Sequence, residues 1–306
     1  MDGGPDRPGE GLTVDAAERD LLADTLRKTM TAASGRVLDL ALVELGWPEL
    51  LAAFPGVAVP LAFGLLGETG AHAPLLNDVL LHTAGQRAGG TVPMPYAGGS
   101  WVVWDRCDLA GQVLDGELPL RSCPAPALAA DAAVLAVDAA VLVADPAVLA
   151  ADPAVLAAGR RALGWWLTGV GRAMLGLARS HALDRVQFGR PIASFQAVRH
   201  RLAETLVALD GAEATLLAAA DEAGGADGIG SMLAKAAAGH AALTAARHCQ
   251  QVLGGIGFTA EHGLHRHVRR ALVLDGLLGS ARELTREAGL LLRREGCAPR
   301  LADLVT

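Results

Sequence analysis

"RVQFGRPIASFQAVRH", residues 185–200, and "CQQVLGGIGFTAEHGLHRHVRRA", residues 249–271, decide how this chain reads. In the first, Gly189 and Pro191 punctuate two helical stretches. A basic helix end, a glycine suited to a left-handed turn and a proline pre-set to begin the next segment account for both residues. That account does not require Arg185, Gln187, Phe195 or Gln196. In the second, a helical run ends on Gly254 and Gly255. Such a pair serves either as a helix cap or as a place where backbone approaches a ligand closely.

Outward from these segments, the spacing of apolar residues predicts helices over 160–186, 191–224, 228–253 and 264–296, long enough for a four-helix bundle. Residues 14–86 also read as helical, with Leu21, Leu22 and Leu26 at helical spacing and breaks at Gly46 and Pro48. Residues 89–99 read as a Gly/Pro linker. "WVVWD" and "GQVLDGELPL", between 100 and 125, are strand-like, with "LDGE" a hairpin-turn candidate. Asp131, Asp138, Asp145 and Asp152 recur every seven residues, each in an Ala-Val-Leu context. Pro146 and Pro153 argue against a continuous helix there, so 131–158 is expected to be short β pieces with Asp-Pro turns, or low-complexity sequence. The expected division is a disordered stretch over 1–13, a helical domain over 14–92, a reduced β region over 93–158 and a helical bundle over 159–306.

Composition narrows the function. Hydrophobic residues make up 52% of the 306, and aromatics only 4%; Ala, Leu and Val dominate, which favours tightly packed helices. A net charge of −7 argues against nucleic acid as a partner. Cys107, Cys123, Cys249 and Cys297 are scattered, as expected of a reduced, cytoplasmic protein. "MDGGPDRPGEG" has no signal-peptide pattern, and the apolar run at 163–178 is interrupted by Arg172, so no membrane association is expected. His262, His265 and His267 lack neighbouring Cys or carboxylate ligands, and no metal is expected.

Both opening segments, in this order, resemble the flavin-contacting motifs of acyl-CoA dehydrogenases. The coupling of "RxQFGxPI" to "FQ" is specific to that family, and Lys235, Gly239, Gln251, Gly254, Gly255, Gly257 and Phe258 fall on its second motif. "GGIGFTAEHGLHRHVRRA" is similar to an actinobacterial subgroup, with Ala260 and Gly263 departing from it. "LVELGWPELL", residues 42–51, resembles the family's structural "ELGW" helix, with Trp47 as a core anchor. The resemblance implies a mainly α fold: an N-terminal helical domain, a reduced middle β domain and a C-terminal four-helix bundle. It implies FAD, contacted by Arg185, Gln187, Phe188, Phe195, Gln196, Gln251, Gly254, Gly255 and Ser280. A guanidinium suits the pyrophosphate by charge and fork geometry. Arg269 and Arg270 read as surface or interface cations.

The family's reaction needs a carboxylate to take the α-proton of an acyl-CoA thioester. Counted from Gly254, its usual position falls at Leu278, with Gly279 and Ser280 as the remnant of "Gly-Thr". Counted back from Phe188, it falls at Trp166 or Gly159. None is acidic. Asp275 is a weak substitute, and Arg160 and Arg161 retain charge where the family has it near the CoA or catalytic region. Some relatives pair two unlike subunits, one of which carries the base. The expectation is therefore a flavoprotein subunit acting in α,β-dehydrogenation of an acyl-CoA, within a homo- or hetero-oligomer. The rival is a non-catalytic binding or scaffold protein that has lost flavin. A flavin-dependent oxidase or a dehydratase on the same scaffold has no residue in its favour.

Overall fold

The computed structural model describes residues 15–106, 118–125, 152–221 and 228–296. Five helices open the chain: α1 (Ala16–Ala32), α2 (Gly35–Glu44), α3 (Trp47–Ala53), α4 (Pro55–Thr69) and α5 (Leu75–Thr83). Each start has a local cause. Asp15 and Glu18 form a reciprocal capping box on α1. Gly46, at φ 81°, turns the chain into α3, and Pro55 opens α4. Trp47 is buried and its indole N–H donates to Asp78 over 3.1 Å, so it anchors this layer as expected.

A three-stranded antiparallel sheet follows, in order β1 (Pro93–Tyr96), β2 (Ser100–Trp104) and β3 (Leu120–Cys123). β1 lies inside the stretch expected to be a linker. Its Pro residues are tolerated because β1 is an edge strand. Arg106 ties the sheet to the helices, donating to Asp39 at 2.8 and 2.9 Å and to Asp78 at 2.5 Å. Burial raises the Asp39 carboxyl above the ordinary carboxylate range, against the opposing pull of Arg106.

The long helix α6 (Pro153–Asp184) runs through the centre. It begins earlier than the expected 160. Asp152 accepts from the Ala154 N–H and Pro153 occupies the first turn, so the last Asp-Pro of the repeat starts a helix and makes no β turn. The earlier units of the repeat and the "LDGE" turn lie outside the described residues. Next come the two-residue strands β4 (Val186–Gln187) and β5 (Arg190–Pro191), then α7 (Gln196–Asp221) and α8 (Ile229–Leu253). α6 packs on α4, α7 and α8, with Trp166 stacked on Trp104 at 5.4 Å and edge-on to Phe63 at 5.8 Å. α4 and α6 touch backbone to backbone: a Cβ on Gly169 would lie within 3 Å of the Gly64 carbonyl.

The expected single helix over 264–296 is two, α9 (Leu264–Gly276) and α10 (Ala281–Glu295). The break is Leu278, at φ 54°, followed by Gly279 at φ 97°. Ser280 and Glu283 then form a capping box that starts α10. Arg270, expected at the surface, is 1% exposed and donates to the Ala71 carbonyl over 3.1 Å. It satisfies a carbonyl just past the end of α4. Among the described residues no helix is long and apolar enough to cross a membrane, and no group of three or more His, Cys, Asp or Glu converges to hold a metal.

Candidate functional site

The nominated residues fall at two ends of the bundle. One end holds the C-termini of α6 and α8 and the N-termini of α7 and α9, and therefore both opening motifs. The other holds the N-terminal half of α6, the start of α8 and the turn between α9 and α10. Along α8, Lys235 to Gln251 spans ~24 Å, and along α6, Arg160 to Arg185 spans ~37 Å, at 1.5 Å per residue.

At the first end, β4 and β5 make a tight hairpin closed by Arg185 C=O accepting from Ile192 N–H at 2.8 Å. The hairpin projects Phe188, which is 91% exposed and adopts φ 53°, a left-handed conformation uncommon outside glycine. Phe195 meets Phe188 edge-on at 6.1 Å, and the Arg190 guanidinium lies 4.4 Å above the Phe195 ring. Gln187 donates to its neighbour's carbonyl over 2.8 Å, and Gln196 contacts His200 at 3.4 Å. Ser194, Gln196, Arg199, His200 and Ala203 line an open depression of about 550 Å³. On the second motif, Gln251 and Gly255 are exposed. Gly254 stands at φ 65°, and a Cβ at either glycine of the pair would meet open space. His262 is near enough to His181, with Arg185, to depress the His181 pKa alongside its burial. The two motifs are thus brought together on one surface.

Their chemistry fits an extended anionic ligand. Two guanidinium groups supply charge, three exposed carboxamides supply paired donors and acceptors, two aromatic rings offer faces, and the glycines leave backbone accessible. FAD matches that donor set.

The second end is filled. Leu278 is 1% exposed; a Cβ added to Gly159 would lie 2.6 Å from its Cδ1 and 2.7 Å from Leu80 Cδ2. Two of the positions where a base was sought therefore pack against each other, and no side chain fits at 159 without displacing both leucines. Trp166, the third position, is fully buried in the aromatic stack, where its indole N–H and that of Trp104 find no hydrogen-bond partner among the described residues. Asp275 accepts from the Ala281 N–H at 3.0 Å and sits against Gly239, so it caps α10. Ser280 is the other capping residue of that helix and lies away from the other proposed cofactor contacts. Arg160 donates from Nε to the Leu278 carbonyl at 3.2 Å. Burial lowers the pKa of both Arg160 and Arg161.

The resemblance placed Lys235 on the second motif but assigned it no contact of its own. Lys235 is fully buried and donates from Nζ to the carbonyls of Asp275, at 2.8 Å, and Gly279. Its helix surrounds it mainly with small and apolar residues, and the two carbonyls that hold it lie 40 and 44 residues further along the chain.

Residues 150–287 match the family described as acyl-CoA dehydrogenase, C-terminal domain. Over 127 residues the chain is 42% identical to acyl-CoA dehydrogenase FadE34 of Mycobacterium tuberculosis, covering 40% of this chain and 18% of that protein. Over 118 residues it is 40% identical to acyl-CoA dehydrogenase IpdE2 of the same organism, covering 39% of this chain and 36% of that protein. The match therefore spans well under half the length of these curated relatives. Among solved structures, a chain of the ChsE4-ChsE5 complex from Mycobacterium tuberculosis shares the fold, with a TM-score of 0.63 and 23% identity over 94% of this chain and 99% of that one. The chain thus carries, over residues 150–287, a stretch that matches the C-terminal domain of acyl-CoA dehydrogenases, on a fold shared with a chain of the ChsE4-ChsE5 complex.

Proposed function

We propose that this chain is a flavoprotein subunit that lends its exposed motif end to an FAD shared with a second acyl-CoA dehydrogenase-fold subunit, and that the pair dehydrogenates an acyl-CoA between the α and β carbons. The observation that carries this is the 185–196 hairpin. An aromatic side chain, Phe188, is held in solvent on a strained backbone beside an arginine and two carboxamides. Such an arrangement costs free energy unless something docks on it.

In this reading Arg185 meets the pyrophosphate, and Gln187, Gln196 and Gln251 bond ribose or adenine. Phe188 and Phe195 cover apolar parts of the cofactor or the partner. Gly254 and Gly255 admit close backbone contact. When bound, FAD supplies the hydride acceptor. The α-proton goes to a carboxylate of the partner, because Leu278, Gly159 and Trp166 offer no group that can take it. Arg160 and Arg161 are proposed as a cationic margin toward the CoA, and Ser280 as a distant flavin contact. The fold shared with a chain of a two-protein complex supports a heteromer.

The test is co-expression with acyl-CoA dehydrogenase-fold subunits encoded nearby. Flavin absorbance should co-elute with the pair and fall on Arg185→Ala. Flavin bound by the lone chain, with acyl-CoA oxidation, overturns the shared-site reading. Flavin absent both alone and with every such subunit favours the scaffold reading.

A further inference from the structure

The second end carries a feature that the flavin reading does not use. The turn at 275–280 joins α9, α10 and the sheet. Leu278 N–H donates to Pro95 C=O at 2.8 Å, and Leu277 bridges to Tyr96. Gly276 lies so close to the Tyr96 ring that a Cβ would clash at 2.4 Å. Glu283 accepts from Gly98 N–H at 2.9 Å. At the centre of this joint is Lys235, fully buried, on the carbonyls of Asp275 and Gly279.

Those carbonyls are two acceptors. A neutral amine has two N–H donors and matches them; an ammonium has three, and among the described residues the third finds no acceptor. The surrounding charges compensate a cation only in part, since Asp275 and Glu283 favour it and Arg160 opposes it. The Asp275 carboxylate accepts from the Ala281 N–H. Glu283 is occupied by Gly98 and Ser280. Arg160, held on the Leu278 carbonyl, is a like charge, and the acid nearest to it in influence is Glu287. Residue choice agrees: of 26 Lys and Arg in the chain, only Lys28 and Lys235 are lysines. Arginine cannot neutralise itself in a protein, and lysine can.

We propose that Lys235 is a proton-operated clamp on the 275–280 turn: as the neutral amine it holds the joint between bundle and sheet closed, and on protonation it loosens it. Burial is the main cause that lowers its pKa, against the opposing pull of Asp275, to about 7. The sign follows. In an opened turn Lys235 is hydrated and titrates in the ordinary lysine range, so the open form takes up its proton first as pH falls. Closure weakens from that range down to about pH 7 and is level below it. The protein therefore carries a joint that softens as the medium passes from alkaline to neutral.

The test uses the chain alone and does not depend on flavin. With 13Cε-labelled lysine, the Lys235 resonance is expected to titrate near neutrality. Hydrogen exchange at the Leu278 and Ala281 amides, corrected for intrinsic rates, should show opening about tenfold greater at pH 6 than at pH 8. In Lys235→Met that difference should vanish. Titration of Lys235 above pH 9, or equal opening of the wild type at the two pH values, overturns the clamp. If Lys235→Met does not fold, the titration and the wild-type exchange still decide.

Discussion

The two ends of the bundle each hold a non-glycine residue in the left-handed conformation, and they use it in opposite ways. Phe188 is 91% exposed; Leu278 is 1% exposed. At the motif end, strain presents an aromatic ring, arginines and carboxamides to whatever lies outside. At the other end, strain turns the chain between two helices and drives a leucine into the space beside Gly159. One end is open to another molecule, and the other is already covered from within. In the proposed reading, the scaffold retains its binding surface while the place of the base has become ordinary core.

Substitutions at the filled end should cost stability. Trp166→Ala should lose about 3–5 kcal/mol in urea denaturation, since it removes a fully buried ring stacked on Trp104. A loss under about 1 kcal/mol would mean that this end is looser than described. Lys235→Met should come next. Because the folded pKa is depressed to about 7, wild-type stability should rise with pH between about 7 and the ordinary lysine range, by at most roughly 5 kcal/mol. The variant should lack that rise. Parallel pH profiles for the two proteins would break the argument.

The exposed end should behave differently. Arg185→Ala and Gln251→Ala should change stability by no more than about 0.5 kcal/mol, yet lower the flavin content of the assembled pair severalfold. Loss of folding without loss of flavin would reverse the comparison. The smallest expected effect is Phe188→Gly. It relieves a left-handed backbone worth about 1 kcal/mol, so the lone chain should be equally or slightly more stable while binding to the partner weakens. Thermal melts beside a pull-down would read both.

The motif end was legible in the sequence because its signals are local. Gly189 and Pro191 mark the hairpin, and Gly254 and Gly255 end α8. The single long helix expected over 264–296 overlooked a signal that was present: Ser280 and Glu283 have capping-box spacing, but the apolar pattern carried across Leu277 and Leu278. Asp152-Pro153 was misread because the same dipeptide suits a turn and a helix start. Arg270 and Lys235 were not legible from their own surroundings. Their burial depends on carbonyls contributed by the segment just past α4 and by the 275–280 turn, and no local pattern encodes a partner so distant in the chain.

The most direct test of the contrast is a hydrogen-exchange footprint of this chain, alone and in complex with the proposed flavin-loaded partner subunit. Protection gained over 185–196 and 251–258, with 159–166 and 276–281 unchanged, is the result predicted. Protection centred on 276–281, with the 185–196 hairpin still exchanging freely, would contradict it.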